Sequence, residues 1–259
     1  MQTVKSGFLG DTGVLLGRSM RHTFRSLDTI LTVTVMPIAF MLLFVYVFGG
    51  AIHTGTGHYV NYLMPGILLI AIGTGISYTA YRLFIDKQEG LFERFRSMPI
   101  APSSLLWAHV LTSLVSNAIS LVVIVAAGLL IGFRSPAGVP AWLAAIGILA
   151  LFTLALTWIA VIAGLSAGSV DGASAFSYPI ILLPFVSSAF VPTESMPGPV
   201  RAFAEHQPVT AIVEALRSLL GGQPVGAEIW TALAWCLGIL VVAYALAMRV
   251  YKRRMQAVR

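Results

Sequence analysis

One short stretch of the chain matches the sequence motif of a serine nucleophile. Residues 164–168 read Gly-Leu-Ser-Ala-Gly, which matches the Gly-x-Ser-x-Gly turn that presents the serine of many hydrolases. Ser166 would need a base within hydrogen-bond reach. His206 follows a further apolar segment and is predicted on the opposite side of a membrane, while His22 and His109 have no carboxylate partner at a suggestive spacing. We therefore expect no catalytic residue and interpret the small residues as a site of close helix packing.

Metal and nucleotide chemistry have little support in the sequence. His53 and His58 are five positions apart, but a metal site needs more ligands than this short loop offers. The chain has no Gly-x-x-x-x-Gly-Lys-Ser/Thr loop for nucleotide phosphates. We expect neither a metal nor a cofactor on this chain. If ATP drives its work, another chain must bind the nucleotide.

The densest group of charges lies in residues 86–99, between two long apolar runs. A loop that only fixes the topology would need charges, but it would not need large apolar side chains among them. On a helix, Glu89 and Glu93 would be neighbours and would repel mildly unless a cationic partner faced them. We therefore predict a short helix that docks against another protein. Its charged and apolar residues are Glu89, Glu93, Arg94, Arg96, Leu91, Phe92 and Phe95.

The composition is that of a membrane protein. Of the 259 residues, 58% are hydrophobic and 10% are charged, whereas a soluble domain has about 25% charged residues. The net charge of +6 arises in short flanks between apolar runs, which argues against nucleic-acid binding. The single cysteine, Cys236, cannot form an internal disulfide. The first long apolar run begins near Ile30, and we expect no signal peptide.

Six apolar segments are long enough to cross a bilayer, since about 20 apolar residues span about 30 Å of hydrocarbon as a helix. None shows the sustained alternation of a strand. The predicted fold is all-α, with six transmembrane helices in one domain over residues 1–259. Pro179 and Pro184 predict a broken path in the fifth segment. The six segments cover residues 30–48, 63–81, 105–131, 142–165, 173–191 and 230–250.

Lys and Arg residues are distributed unevenly between the connecting segments. With six spans, thirteen of the 16 fall on one side, in residues 1–29, 82–104 and 249–259. The other side holds only Arg134, Arg201 and Arg217. Because short basic loops stay in the cytoplasm, we predict a multi-pass protein of the cell membrane with both termini cytoplasmic. The loop 166–172 is placed on the same side, although it has no Lys or Arg.

Two further regions are amphipathic. In residues 1–28, apolar side chains recur at helical spacing on one face, which predicts a helix lying on the cytoplasmic membrane surface. The basic face of this interfacial helix consists of Arg18, Arg21 and Arg25. Residues 192–228 are too charged to span a bilayer and too apolar for a simple loop. We predict one or two short helices there, forming an external re-entrant region that dips into the outer interface.

Two motifs resemble those of a known family. Residues 89–100 read Glu-Gly-Leu-Phe-Glu-Arg-Phe-Arg-Ser-Met-Pro-Ile, followed by Ala-Pro-Ser-Ser-Leu. Residues 207–217 read Gln-Pro-Val-Thr-Ala-Ile-Val-Glu-Ala-Leu-Arg, preceded by Ser-Ser-Ala-Phe-Val-Pro at 187–192. Both resemble type-2 ABC exporter permeases, most of all the daunorubicin-resistance-type membrane subunit of actinobacteria. The resemblance covers nearly the whole chain, and neither motif is specific to a substrate.

This resemblance implies one subunit of an ATP-driven exporter. Two permease copies would form the pathway within membrane lipid, and two copies of a separate ABC ATPase would bind ATP and Mg and sit beneath them. Segment 86–99 would be the coupling helix that docks into the ATPase, which the interfacial helix would also touch. The implied coupling residues are Glu89, Gly90, Leu91, Phe92, Glu93, Arg94, Phe95 and Arg96.

The cargo and some alternatives stay open. Span interiors with almost no charge suit a drug-like, lipid or other amphipathic substrate and argue against an ion-driven carrier, which usually has buried ionisable residues. A polysaccharide or teichoic-acid exporter would share the architecture. An ion-driven carrier and an intramembrane serine hydrolase centred on Ser166 stay open as alternatives of another class. The motifs do not distinguish a homodimer from a pair with a second permease.

Overall fold

The structure is a computed structural model that describes residues 13, 16–17, 27–50, 59–90, 104–224 and 226–257. All regular secondary structure within these ranges is helical. Residues Leu43–Phe48 continue the first helix as a π-helix, and two 3-10 turns cover Leu183–Val186 and Thr193–Ser195. The α-helices are α1 (Leu27–Leu42), α2 (Tyr59–Gln88), α3 (Ser104–Ile131), α4 (Val139–Ser166), α5 (Val170–Ala175), α6 (Ser177–Leu182), α7 (Gly198–His206), α8 (Pro208–Leu220) and α9 (Glu228–Ala257).

Four of these helices are long and apolar enough to cross a membrane. They are α2, α3, α4 and the part Glu228–Arg254 of α9, and each contains one of the predicted segments. Two shorter apolar stretches, Thr34–Phe48 and Val170–Val186, lie where the first and fifth spans are expected. The all-helical prediction is confirmed for the described residues. The complete six-span layout stays a prediction.

Helix α2 is the central element of the bundle. It packs against α1, α3, α4, α5, α6 and α8, and the side chains of Leu63, Met64 and Ile67 are fully buried. By contrast, Leu130 on α3 is 91% exposed and Trp230 on α9 is 73% exposed. Large apolar side chains that face outward are what a lipid environment favours, since lipid tails are as apolar as the side chains.

Small residues on α2 let the fifth segment approach it closely. A Cβ atom on Gly66 would lie 2.7 Å from Cβ of Ala189, and one on Gly73 would lie 3.0 Å from Cγ1 of Ile181. Helices in lipid associate through such close packing rather than through the hydrophobic effect. The two glycines are seven positions apart on α2, so together they form a groove for an antiparallel neighbour.

The fifth segment is a broken helix, as its prolines predict. Ser169 begins α5 by accepting a hydrogen bond from the backbone N–H of Gly172 (3.1 Å). After an interruption at Phe176, Pro179 lies in the first turn of α6, where its missing N–H is tolerated. Pro184 then starts the change to a 3-10 turn, because it cannot donate to the preceding helical turn.

Polar contacts define two ends of the bundle. Lys87 of α2 contacts the loop after α4, which places the ends of these helices together; we name this the basic end. At the opposite, far end, the hydroxyl of Ser135 donates to the carbonyl of Leu220 (2.6 Å), and the backbone N–H of Arg134 donates to Oδ1 of Asn61 (3.0 Å). The far end therefore includes the start of α2, the α3–α4 connection and α8.

Candidate functional site

The structure describes only the start of the predicted coupling segment. Residues 86–88 complete the last turn of α2, and Glu89 and Gly90 form the turn that ends it. The other coupling residues, Leu91, Phe92, Glu93, Arg94, Phe95 and Arg96, lie outside the described residues. So do Arg18, Arg21 and Arg25 of the predicted interfacial helix. Of its 28 residues the structure describes Gly13, Leu16 and Gly17 as helical positions, and residues 27–28 as the start of α1.

Gly90 ends α2 in the left-handed region of backbone conformation. Its φ angle is 68°, and its N–H donates to the carbonyl of Lys87 (3.3 Å). Glycine adopts this conformation without the clash that a Cβ atom would cause, and it is the usual residue just past a helix end. The glycine of the predicted coupling motif thus has a defined local role, since it ends α2.

The last turn of α2 carries an ion pair that the sequence did not reveal. Nε2 of His109 on α3 lies 2.9 Å from Oδ2 of Asp86, and the two side chains are only 8% and 18% exposed. His109, which has no carboxylate at a suggestive spacing in the sequence, therefore has one close to it in space. The partner lies on another helix, so no spacing along the chain could indicate it.

Lys87 connects α2 to the end of α4. Its ammonium group donates to the carbonyls of Ala167 (2.8 Å) and Leu165 (3.3 Å) and lies 4.8 Å from the ring centroid of Phe84. Carbonyls at a helix C-terminus lack helical partners and carry the negative end of the helix dipole, so a cation is favourable there. The loop 166–172, which has no Lys or Arg of its own, therefore has a basic residue beside it.

The serine motif lies at the same end and is explained by packing. A Cβ atom on Gly164 would lie 2.8 Å from the carbonyl oxygen of Ala80 and 3.1 Å from Cβ of Leu83, so the small residue lets α4 approach α2. Ser166 is exposed at the last position of α4, and His206 lies at the far end. The packing interpretation of the motif is confirmed. His53 and His58 lie outside the described residues.

The far end contains polar side chains that satisfy the broken fifth segment. The side-chain amide of Gln207 donates to the carbonyl of Val186 and, at 3.5 Å, to that of Leu183. The chain leaves the 3-10 turn at Ser187 in an extended conformation, so the carbonyl of Val186 at the end of the turn has no helical partner. An unsatisfied backbone group at membrane depth costs several kcal/mol, and Gln207 removes that penalty from outside the segment.

Arg217 is the second such side chain. Its Nη2 donates to the carbonyl of Ser188 (2.7 Å), and its guanidinium also donates to the carbonyl of Tyr62 (3.3 Å). The guanidinium carbon lies 3.7 Å from the centroid of the Tyr62 ring, in cation–π contact. Burial lowers the pKa of Arg217, while Tyr62 and Glu214 act in the opposite direction. Arg217 thus links the fifth segment, α2 and α8.

Glu214 lies one turn before Arg217 on α8 and is half-buried. Burial raises the pKa of Glu214, whereas the charge of Arg217 lowers it in part. The net effect is upward, because loss of hydration disfavours the carboxylate more than this neighbour stabilises it. The far-end cluster is defined as Tyr62, Gln207, Glu214 and Arg217. Burial disfavours the charged forms of both Glu214 and Arg217 in it.

A polar seam joins three helices inside the apolar bundle. The hydroxyl of Thr79 on α2 donates to that of Ser113 on α3 (2.9 Å), which lies 3.2 Å from the hydroxyl of Thr157 on α4. Asn117 adds a hydrogen bond to the carbonyl of Ser113 (2.9 Å) and rests on Gly75, where a Cβ atom would be 2.2 Å from its Oδ1. Such bonds hold helices together in lipid.

These sites all join helices to one another or to a docking segment. Within the described ranges there is no group of three or more His, Cys, Asp or Glu residues that could hold a metal ion. The polar side chains instead satisfy carbonyls, pair across helices or pack in the seam. The described polar contacts therefore hold together a helix bundle in which α2 is the central element.

Comparison with known proteins identifies the family. The family described as ABC-2 type transporter matches this chain over residues 11–220, from the N-terminal region to the end of α8. The daunorubicin resistance ABC transporter permease protein DrrB1 of Streptomyces coeruleorubidus is 30% identical over 227 residues, which cover 87% of this chain and 80% of that protein. The probable doxorubicin resistance ABC transporter permease protein DrrC of Mycobacterium tuberculosis is 28% identical over 239 residues, which cover 91% and 86%.

The matched region includes the coupling motif, the bundle around α2 and the far-end cluster, so family and geometry describe the same part of the molecule. The relatives are named as permeases, and this chain likewise lacks a phosphate-binding loop in its sequence. The chain is a type-2 ABC permease and belongs to the ABC-2 type transporter family.

Proposed function

We propose that this chain is the membrane-spanning subunit of an ATP-driven exporter that moves a drug-like, lipid or other amphipathic substrate out of the cell. The observation that carries the proposal is its similarity to a daunorubicin resistance permease over 87% of the chain. Apolar helices with few charges in their interiors suit such a cargo. ATP and Mg are bound and used by a separate ABC ATPase, since this chain has no phosphate loop.

The proposed orientation places the basic end in the cytoplasm of a cell-membrane protein. Lys87 lies there beside the end of α4, and the electrostatic influence of Arg254 on Lys87 indicates that the last turns of α9 lie nearby. Basic residues concentrate on the cytoplasmic side of membrane proteins. Both termini then face the cytoplasm, and the far-end cluster faces outward.

The proposed contact with the ATPase is the coupling segment 86–99, assisted by the interfacial helix. Gly90 ends α2 at the basic end, where an ATPase in the cytoplasm could reach it. Glu89 is exposed in the same turn. The complex is proposed to contain two copies of the ATPase and two copies of the permease, which form the pathway between them.

The first experiment purifies the tagged protein from its native membrane in mild detergent and identifies the proteins that accompany it. A stoichiometric ATPase with a phosphate-binding loop supports the proposal. A chain that purifies alone, with no ATP-dependent transport after reconstitution with the ATPases of the same cell, contradicts it. The same preparation shows whether a second, different permease is present.

Charge reversal in the coupling segment tests its assigned role. Glu93→Lys and Arg94→Glu should leave the protein in the membrane but lower transport per ATP about ten-fold, because each places a like charge against the docking partner. The matched control is Glu205→Lys, a charge reversal at the exposed far end, which should transport normally. Normal transport by both coupling variants would show that segment 86–99 does not couple the two proteins.

A further inference from the structure

The polar contacts of the basic end surround the coupling segment. Asp86 and Lys87 begin the coupling segment in the last turn of α2, and His109 lies in the second turn of α3, after the segment ends. The 2.9 Å contact between Asp86 and His109 therefore joins the helix that enters the segment to the helix that leaves it.

The Asp86–His109 pair is built differently from a surface ion pair. Its side chains are 8% and 18% exposed, whereas those of Arg201 and Glu205, the exposed pair on α7, are 46% and 39% exposed. His109 can donate from Nε2 to Asp86 whether it is charged or neutral. A pair that is shielded from water resists separation more than an exposed one does.

Lys87 extends the junction to a third helix. Its two hydrogen bonds, to the carbonyls of Leu165 and Ala167, hold the end of α4 against the end of α2. From Ala167 the chain continues into α5 and the broken fifth segment. The last turn of α2 is thus fixed to α3 by Asp86 and to α4 by Lys87. We name these three residues, Asp86, Lys87 and His109, the basic-end bracket.

We propose that the basic-end bracket is the positioning device that turns a displacement of the coupling segment into a joint movement of α2, α3 and α4. Helix α2 is central and packs against most of the other helices, so a movement of its end is transmitted through the bundle. Without the bracket, the coupling segment would move while the helices stayed behind. This inference rests on the proposed function, because it requires an ATPase that acts on the segment.

A purely structural role for the bracket makes a different prediction. If the three residues only stabilised the fold, their loss would reduce the amount of assembled complex, and each surviving complex would transport as many substrate molecules per ATP as the wild type. If the three residues have a positioning role, the amount of assembled complex and the number of molecules transported per ATP respond differently to their loss. Hydrolysis by the ATPase continues, while transport per ATP falls.

The test uses the purified complex of permease and ATPase in proteoliposomes and measures ATP hydrolysis and transport together. The variants are Asp86→Asn, His109→Gln and the exchange of the two residues, Asp86→His with His109→Asp. Each single variant should lower transport per ATP about ten-fold, which is within the range of coupling between contacting residues. The exchange restores the pair and should recover at least half of the wild-type transport per ATP. Glu205→Gln, which breaks the exposed pair on α7, is the matched control and should leave it unchanged.

The outcomes separate this inference from the proposed function. A wild-type complex without ATP-dependent transport would contradict the proposed function itself. A coupled wild type with unchanged ratios in both single variants, or an exchange that assembles and recovers nothing, would overturn the bracket alone. If the single variants do not assemble, Lys87→Met provides the test, because it removes only the bonds to α4. A reduced ratio supports the bracket, and an unchanged ratio overturns it.

Discussion

Polar side chains are concentrated at the two ends of this helix bundle, but they do different work there. At the far end, Gln207 and Arg217 donate to carbonyls that a broken segment leaves without helical partners. At the basic end, Asp86 and Lys87 join intact helices to one another beside an exposed turn. The far-end side chains satisfy the backbone of an irregular segment, whereas the basic-end side chains join one helix to another.

The difference has a physical origin. An irregular backbone in or near hydrocarbon must have its N–H and C=O groups satisfied by protein, so the loss of a far-end donor acts directly on stability. The helices at the basic end satisfy their own backbones over most of their length. Loss of a contact there leaves the helices intact and, under the proposed role of the basic-end bracket, lowers transport per ATP.

Arg217→Leu should have the largest effect on stability. It removes charged hydrogen bonds to the carbonyls of Ser188 and Tyr62 and the cation–π contact with the Tyr62 ring, which together are worth about 3 kcal/mol. We expect a clearly lower melting temperature in detergent, measured by fluorescence-detected size exclusion after heating.

Arg201→Leu is the matched control for Arg217→Leu, since Arg201 is exposed on α7 and its replacement should change the melting temperature little. The surviving Arg217→Leu complexes should transport a normal number of molecules per ATP. A stable Arg217→Leu protein with low transport per ATP would mean that the far end also transmits movement, and the contrast between the two ends would fail.

Gln207→Leu should destabilise the protein less. It leaves the carbonyls of Val186 and Leu183 without their donor, a loss of about 1–2 kcal/mol. The loss is moderated because Oε1 of Gln207 is itself buried without a hydrogen-bond partner among the described residues, and leucine removes that group. The same melting experiment measures it.

Gln223→Leu at the exposed start of the connection to α9 is the control for Gln207→Leu. A Gln207→Leu protein as stable as Gln223→Leu would show that other groups satisfy the end of the fifth segment. The assignment of the far end to backbone satisfaction would then rest on Arg217 alone.

The sequence predicted the long helices because continuous apolar runs leave few alternatives for the backbone. The runs around Leu63 and Leu105 fall within α2 and α3, with ends shifted by a few residues. The break in the fifth segment also followed from Pro179 and Pro184, whose effect on a helix is local. Properties that depend on neighbours along the chain were therefore accessible.

Contacts between helices could not be predicted from the sequence in the same way. Asp86 and His109 are 23 positions apart, and their pairing depends on how α2 and α3 cross. The role of Arg217 depends likewise on a break in another segment. One signal was overlooked: Ser113, Asn117 and Ser120 recur at helical spacing in an otherwise apolar helix, a pattern that marks an inward-facing polar stripe and could have indicated the seam.

The smallest expected effect concerns the pH dependence of the far-end cluster. Burial raises the pKa of Glu214 above its ordinary value of 4.5, so the folded protein holds this proton more strongly than the unfolded chain does. The corresponding stability is fully present below pH 4.5 and is lost as the pH rises through the raised pKa. A glutamine cannot titrate. The melting temperature of Glu214→Gln should therefore increase relative to that of the wild type as the pH rises from 4.5 towards neutrality.

Taking the difference between the melting temperatures of the two proteins at each pH cancels the contributions of the other titrating groups. We expect this difference to be smaller than the effect of Gln207→Leu, because Glu214 is only half-buried. Its sign decides between two views of the cluster. If the wild type gained on Glu214→Gln with rising pH, attraction to Arg217 would outweigh burial, and the far end would contain a stabilising charge pair like that of the basic end. A gain by the variant shows instead that Glu214 is tolerated at a site built around the carbonyl contacts of Arg217.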